Sequence, residues 1–289
     1  MQNSMSMRMA RVETDTGQAW LARIEDGMAV PLIQATDRLG ADALRDALIE
    51  GVDLAGTPGA SAARPLGEVR FLRPLTSPSK VLAIGRNYAE HAKETGGDVP
   101  TSPVAFVKTN NALNDPETPV TWSRAGSQKV DYEAELAVVI GRRARKVSEA
   151  DALHYVFGYT CCNDVTARDA QYGDGQWVRG KSFDTFCPMG PVIVTTDELP
   201  DPQSLRVSCR VNGEIRQDAS TKDMVFGVAS LVSYLSQVIT LEPGDVISTG
   251  TPEGVGHAMR PPRYLGDGDV MEVEVEGIGV LRNPCSLLG

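Results

Sequence analysis

The sequence predicts a strand-rich α+β protein with a small unit at its N-terminal end. Three observations predict it. Short apolar runs with β-branched residues recur from Lys80 onward. Asp-Gly and Asn-Gly pairs lie between such runs, as hairpins require. Helical stretches are few and do not alternate regularly with the strands, which disfavours a doubly wound parallel sheet.

Residues 1 to 75 read as the small unit. Trp20 to Ile24 and Met28 to Ile33 flank Asp26-Gly27, a hairpin signal. Ala41 to Ile49 reads as a short helix, with Leu44 and Leu48 one turn apart. Gly56 to Pro65, rich in Gly, Pro, Ala and Ser, reads as a linker or surface loop. Residues 76 to 289 form the second unit. Its strand candidates are Val81 to Ile84, Val104 to Val107, Leu136 to Ile140, Val192 to Val194 and Val246 to Ile247. Leu205 to Val211 and Glu214 to Gln217 flank Asn212-Gly213, and Met271 to Val275 and Ile278 to Leu281 flank Glu276-Gly277. Helices are expected at Tyr88 to Glu94, Glu149 to Tyr155 and Val228 to Ile239, with Ser148 and Asp151 forming a capping pattern for the second.

Composition excludes several classes. With 28 Lys and Arg against 38 Asp and Glu, the net charge is −10. That balance argues against a nucleic-acid binder, which needs basic surface to displace counterions. No apolar run approaches the length of a membrane helix. The first ten residues lack the apolar stretch of a secretory signal. Five cysteines show no CxxC or zinc spacing, so free thiols in a reducing cytoplasm are expected.

Five stretches carry candidate chemistry. In Asp131-Tyr132-Glu133-Ala134-Glu135, an extended chain places three carboxylates on one face, about 7 Å between neighbours. They either line a solvated edge or converge on a hard cation. Asn163-Asp164 ends an apolar run and is either a cap or a further ligand. His91 and Glu94 are i, i+3 neighbours if helical, either a surface pair or an oriented base. Lys181 lies between Gly180 and Ser182, where a solvated loop lysine is the ordinary outcome. The Gly-rich run Ser248 to Gly256 is either a turn or a set of N–H donors for a carboxylate.

In this order the stretches resemble the fumarylacetoacetate hydrolase family. GRNYAEHAKE at 85 to 94, DYEAELAVVIG at 131 to 141, NDVTARDAQ at 163 to 171, GKSFD at 180 to 184 and TGTPEGVG at 249 to 256 carry the resemblance. It spans about Lys80 to Asn283. It implies a mixed β-sandwich roll with a divalent-metal site at its mouth, in a homodimer, and a small N-terminal domain. Glu133, Glu135 and Asp164 match the metal ligands, for Mg²⁺ or Mn²⁺. Lys181 matches the active-site lysine, and His91 and Glu94 match a dyad on a lid helix. Gln171 and Thr251 match substrate contacts, with Arg86 and Lys108 as further candidates. Asp131 precedes the ligands without being one.

The resemblance implies a substrate that is a small 2-oxo acid, with no nucleic acid or membrane partner. Its expected reaction is hydrolysis of a C–C bond in a 2,4-dioxo acid, giving pyruvate and a carboxylic acid. Oxaloacetate decarboxylation and hydroxymuconate-type isomerisation or decarboxylation are alternatives on the same site. A non-catalytic metabolite-binding module would need a matched position to be lost, and none is. Tyr88, Tyr172, Trp177 and the segment 259 to 265 are candidates for the acyl pocket.

Overall fold

The computed structural model describes residues 7–35 and 42–289. A twelve-stranded mixed sheet forms the body. Its central order is Met28–Ala35, Ala19–Glu25, Arg8–Glu13, Cys187–Thr195, Val156–Asn163, Ala134–Ile140, Val246–Ser248, Val81–Gly85 and Val104–Lys108. A five-stranded sheet holds Glu214–Ser220, Arg206–Val211, Val270–Val275, Gly279–Leu288 and Val120–Ser123. Val246–Ser248 runs parallel to Val81–Gly85, whereas its other neighbour, Ala134–Ile140, is antiparallel.

Burial explains why the central strands read as unbroken apolar runs. Every residue of Ala134–Ile140 is buried. Leu136, Val138 and Ile140 join Val207, Val273 and Leu281 of the five-stranded sheet in the main core. Ala137 and Val139 face the other way, into a second core with Leu44, Ala47 and Met9. A sheet covered on both faces needs apolar residues at both parities. The five-stranded sheet instead alternates, with Met271, Val273 and Val275 buried and Glu272 and Glu274 partly exposed.

Hairpin chemistry holds where the sequence predicts it. Asp26 and Gly27 take φ of 50° and 73°, and Asn212 and Gly213 take 54° and 78°. Both are two-residue loops with positive φ at each position, matching the twist of the strands they join. The strand Arg8–Glu13 pairs with its hairpin partner on one side and with Cys187–Thr195 on the other. The first strands therefore continue the same sheet as the second unit.

Helices are shorter than their sequence patterns. Ala43–Glu50 begins at Asp42, whose carboxylate accepts from Arg45 N, and ends at left-handed Gly51; Ala41 lies outside the described residues. Two of the other three expected helices become Ala89–Glu94 and Val228–Ser236. The stretch 149–155 is only a 3-10 turn, Ala152–Tyr155. The expected Ser148 cap is present, with Asp151 N donating to Ser148 Oγ at 3.2 Å and Ser148 Oγ donating to Asp151 Oδ2 at 2.6 Å. No helix among the described residues is long and apolar enough to cross a membrane.

Candidate active site

Strand register builds the site. Ala134 pairs with Asn163 and Glu135 with Cys162, so the next residues outward, Glu133 and Asp164, are neighbours. Asp164 N donates to Glu133 O at 2.9 Å, and Asn163 Oδ1 accepts from Glu133 N at 3.0 Å. The expected continuous strand over 131–141 is broken at Tyr132-Glu133, between Val130–Asp131 and Ala134–Ile140. Oxygens of Glu133, Glu135 and Asp164 all lie within 4.8 Å of one another, and all three residues are buried.

Cations interleave with these carboxylates. Lys181 Nζ donates to Glu133 Oε2 and Asp164 Oδ2, each at 2.7 Å. It is carried not on a loop but on the helical turn Val178–Lys181. Gly180 makes that approach possible, since a Cβ there would lie 2.5 Å from Gln171 N. Arg168 Nη1 contacts Glu133 Oε1 at 2.7 Å, and its Nη2 contacts Asp131 Oδ2 at 2.8 Å. Lys108 Nζ donates to Asp164 Oδ1 at 2.6 Å and also to the carbonyls of Val165 and Lys181. Lys108 thus braces Asp164 and is absent from the cavity wall.

Glu135 stands apart. Its Oε2 accepts from Ser248 Oγ at 2.5 Å and Gly250 N at 2.9 Å, both neutral donors. Burial, then the charges of Asp164 and Glu133, push its carboxyl well above the usual range. Burial also opposes ionisation of Glu133, but Lys181 and Arg168 outweigh it and hold that carboxyl at about 2. Burial works against a charged Lys181, yet Asp164 and Glu133 raise its pKa. An oxygen-only donor set with one uncompensated buried carboxylate fits a hard divalent cation.

A small cavity of about 30 Å³ opens beside this cluster. Glu133, Arg168, Gln171, Lys181, Thr251 and His91 face it. His91 Nδ1 lies 2.9 Å from Glu94 Oε1, and Glu94 Oε2 accepts from Gly254 N at 2.9 Å. The dyad predicted from spacing is therefore assembled and anchored to the 249–256 loop. Gln171 Oε1 accepts from Arg168, which leaves its Nε2 as a donor. Thr251 Oγ1 donates to Ala134 O and accepts from Gln217 Nε2, so its proton is committed to the backbone. Arg86, at φ 56°, lines the cavity over Gly97 and makes no ion pair among the described residues.

Of the acyl-pocket candidates, Tyr172 and Trp177 line the cavity. Tyr88 is buried away from it, and Arg263, Tyr264 and Leu265 line another. Trp177 closes one side, edge-on to Phe106 and against Gly85, where a Cβ would lie 2.3 Å from the indole. Sequence reasoning assigned no role to Arg168 or Gln217. Arg168 lies inside the NDVTARDAQ stretch, four residues after Asp164, and that proximity was its one available signal.

Comparison with known proteins fits this geometry. Residues 80–286 match the model of the fumarylacetoacetate (FAA) hydrolase C-terminal family. The chain belongs to the fumarylacetoacetate hydrolase family. The mitochondrial oxaloacetate tautomerase FAHD2A of Bos taurus is 47 % identical over 221 residues, covering 76 % of this chain and 70 % of that protein. Among solved family structures, the fumarylacetoacetate hydrolase of Exiguobacterium antarcticum is 42 % identical with a TM-score of 0.84, covering 98 % of this chain and all of that one. The 2-hydroxyhepta-2,4-diene-1,7-dioate isomerase of Mycobacterium marinum is 37 % identical with a TM-score of 0.79, covering 98 % of this chain and 99 % of that one. This chain is thus an enzyme of the family, strand-rich like its structural neighbours, and it holds a buried acidic triad.

A cation held by this triad would bind in a pH-dependent way. The raised Glu135 carboxyl must lose its proton before it can ligate a cation. Metal affinity is therefore expected to weaken as pH falls below that raised pKa, with a proton released per ion bound. Calorimetry in buffers of different ionisation enthalpy measures the release. Zero release on the acid side of the transition would contradict the assignment.

Proposed function

We propose that this protein is a divalent-metal-dependent enzyme that interconverts the keto and enol forms of a small 2-oxo dicarboxylic acid of the oxaloacetate type. The observation that carries the reading is Arg86, which faces the dyad's cavity without an acidic partner among the described residues. A buried or half-buried guanidinium of this kind suits a second substrate carboxylate. The tautomerase relative supports the same substrate class.

Glu133, Glu135 and Asp164 would hold Mg²⁺ or Mn²⁺. When bound, the ion supplies Lewis-acid polarisation to the 2-oxo acid end. Glu94 fixes the Nδ1 proton of His91 and leaves Nε2 to take a proton from the carbon beside the carbonyl. Lys181 and Arg168 stabilise the negative charge that grows on oxygen. Gln171 Nε2 donates to the substrate carboxylate. Delivery of that proton to the enolate oxygen gives the enol, and the same two transfers in the opposite order return the keto form.

Hydrolysis of a 2,4-dioxo acid is the second reading, favoured by the same dyad acting on water. Decay of the enol absorbance of oxaloacetate, with metal and after EDTA, tests the first reading. Acetylpyruvate, followed by release of pyruvate and acetate, tests the second. Metal-dependent cleavage of acetylpyruvate with no acceleration of oxaloacetate tautomerisation would overturn the proposal. His91→Ala is expected to lower turnover about 10²- to 10⁴-fold in steady-state assays. Arg86→Gln should raise KM for oxaloacetate about 10- to 100-fold, with less effect on a monocarboxylic 2-oxo acid.

A further inference from the structure

The segment 259–265 faces a second cavity, of about 110 Å³, lined by Tyr132, Asn212, Arg216, Arg263, Tyr264 and Asp269. Arg216 is the unusual residue there. Its side chain is 7 % exposed, yet its Nε has no hydrogen-bond partner among the described residues. Its Nη1 donates only to the weak acceptor Met259 Sδ, at 3.4 Å. Its Nη2 reaches Glu214 Oε2 at 3.1 Å. A buried guanidinium with so few acceptors is costly.

Arg263 approaches the same carboxylate as a fork, Nη1 and Nη2 contacting the two Glu214 oxygens at 2.9 and 3.1 Å. Glu214 follows the Asn212-Gly213 turn and is 55 % exposed. It thus places a carboxylate between two arginines from the solvent side, on a side chain free to swing away. Asp269 also faces the cavity, but its oxygens accept from Asn212 Nδ2 and Gly266 N, both at 2.7 Å.

We propose that this cavity binds a small oxyanion, a carboxylate or phosphate, on the Arg216 and Arg263 guanidiniums that line it, in competition with the Glu214 carboxylate. Planar forks of N–H donors match both anions. The site adjoins the catalytic machinery through Tyr132. Its hydroxyl donates to Gly254 O at 2.9 Å, and Gly254 N in turn donates to Glu94. An anion packed against Tyr132 therefore bears on the loop that anchors the dyad.

The test is calorimetric titration of the full-length, metal-free protein with inorganic phosphate and, separately, succinate, at constant ionic strength. Succinate lacks the 2-oxo group. Saturable binding of one anion per chain is expected for at least one of the two, and the preferred anion identifies the source. Arg263→Ala should weaken it at least about tenfold, and Glu214→Gln should strengthen it, by removing the competing charge. Glu135→Gln should leave it unchanged. Absence of saturable binding for both anions would overturn the proposal. So would binding that Glu135→Gln removes and Arg263→Ala leaves intact.

Discussion

Glu135→Gln is expected to abolish turnover while leaving the metal-free fold at least as stable as the wild type. Glu135 is 1 % exposed and has only Ser248 and Gly250 as donors. Burial and the neighbouring Asp164 and Glu133 make its charged form unfavourable. Its raised pKa has a defined sign in stability. The favourable protonated state is fully present below the unfolded value and is lost as pH rises through the folded one. Glutamine carries no charge at any pH, and its carbonyl still accepts from Ser248 and Gly250. Catalysis fares differently, because the cation loses one of three carboxylates. Loss of Lewis-acid stabilisation costs several kcal/mol, a fall on the order of 10³-fold or more. Turnover assays and thermal denaturation with EDTA measure the two halves. Retained metal-dependent activity, or a melting temperature lowered by more than about 5 °C, would contradict the account.

Lys181→Met should do the reverse to stability. Its ammonium bridges Glu133 and Asp164 at 2.7 Å each, with a side chain only 2 % exposed. Methionine fills a similar volume but leaves Glu133, Asp164 and Glu135 facing one another. Removing one partner of a buried ion pair typically costs about 3–5 kcal/mol. Denaturant titration of the metal-free variant should show a loss of that size. Saturating Mg²⁺ or Mn²⁺ should return much of the stability without returning turnover, because the charge on the reacting oxygen still lacks its ammonium. A metal-free variant as stable as wild type would show that Lys181 does not neutralise the cluster.

Much of this was legible in local sequence. Asn212-Gly213 and Asp26-Gly27 specify turns that few other pairs adopt without strain. His91 and Glu94 meet because three residues along a helix face is contact distance. The groups that organise the site from a distance were not legible. Asp131 and Arg168 pair across 37 positions, and Gln217 reaches Thr251 across 34. No periodicity links residues on different strands, so only the folded register reveals them. Apart from the GKSFD resemblance, Lys181 reads as an ordinary loop lysine, because its two carboxylate partners lie 48 and 17 positions away. The stretch 149–155 shortens to Ala152–Tyr155 despite its Ser148 cap, because the chain enters the buried strand Val156–Asn163 at once.

The pairing of Arg8–Glu13 with Cys187–Thr195 also governs how the chain is made. A ribosome releases residue 8 long before residue 194, its register partner. Arg70–Leu72 covers Arg11–Glu13 on that edge early, but Arg8 and Met9 must wait for residues 194 and 193. Closing so long a loop is slow, and strand edges exposed meanwhile invite contacts with other nascent chains. Synthesis speed and chaperone supply, more than final stability, are thus expected to set the yield of folded enzyme.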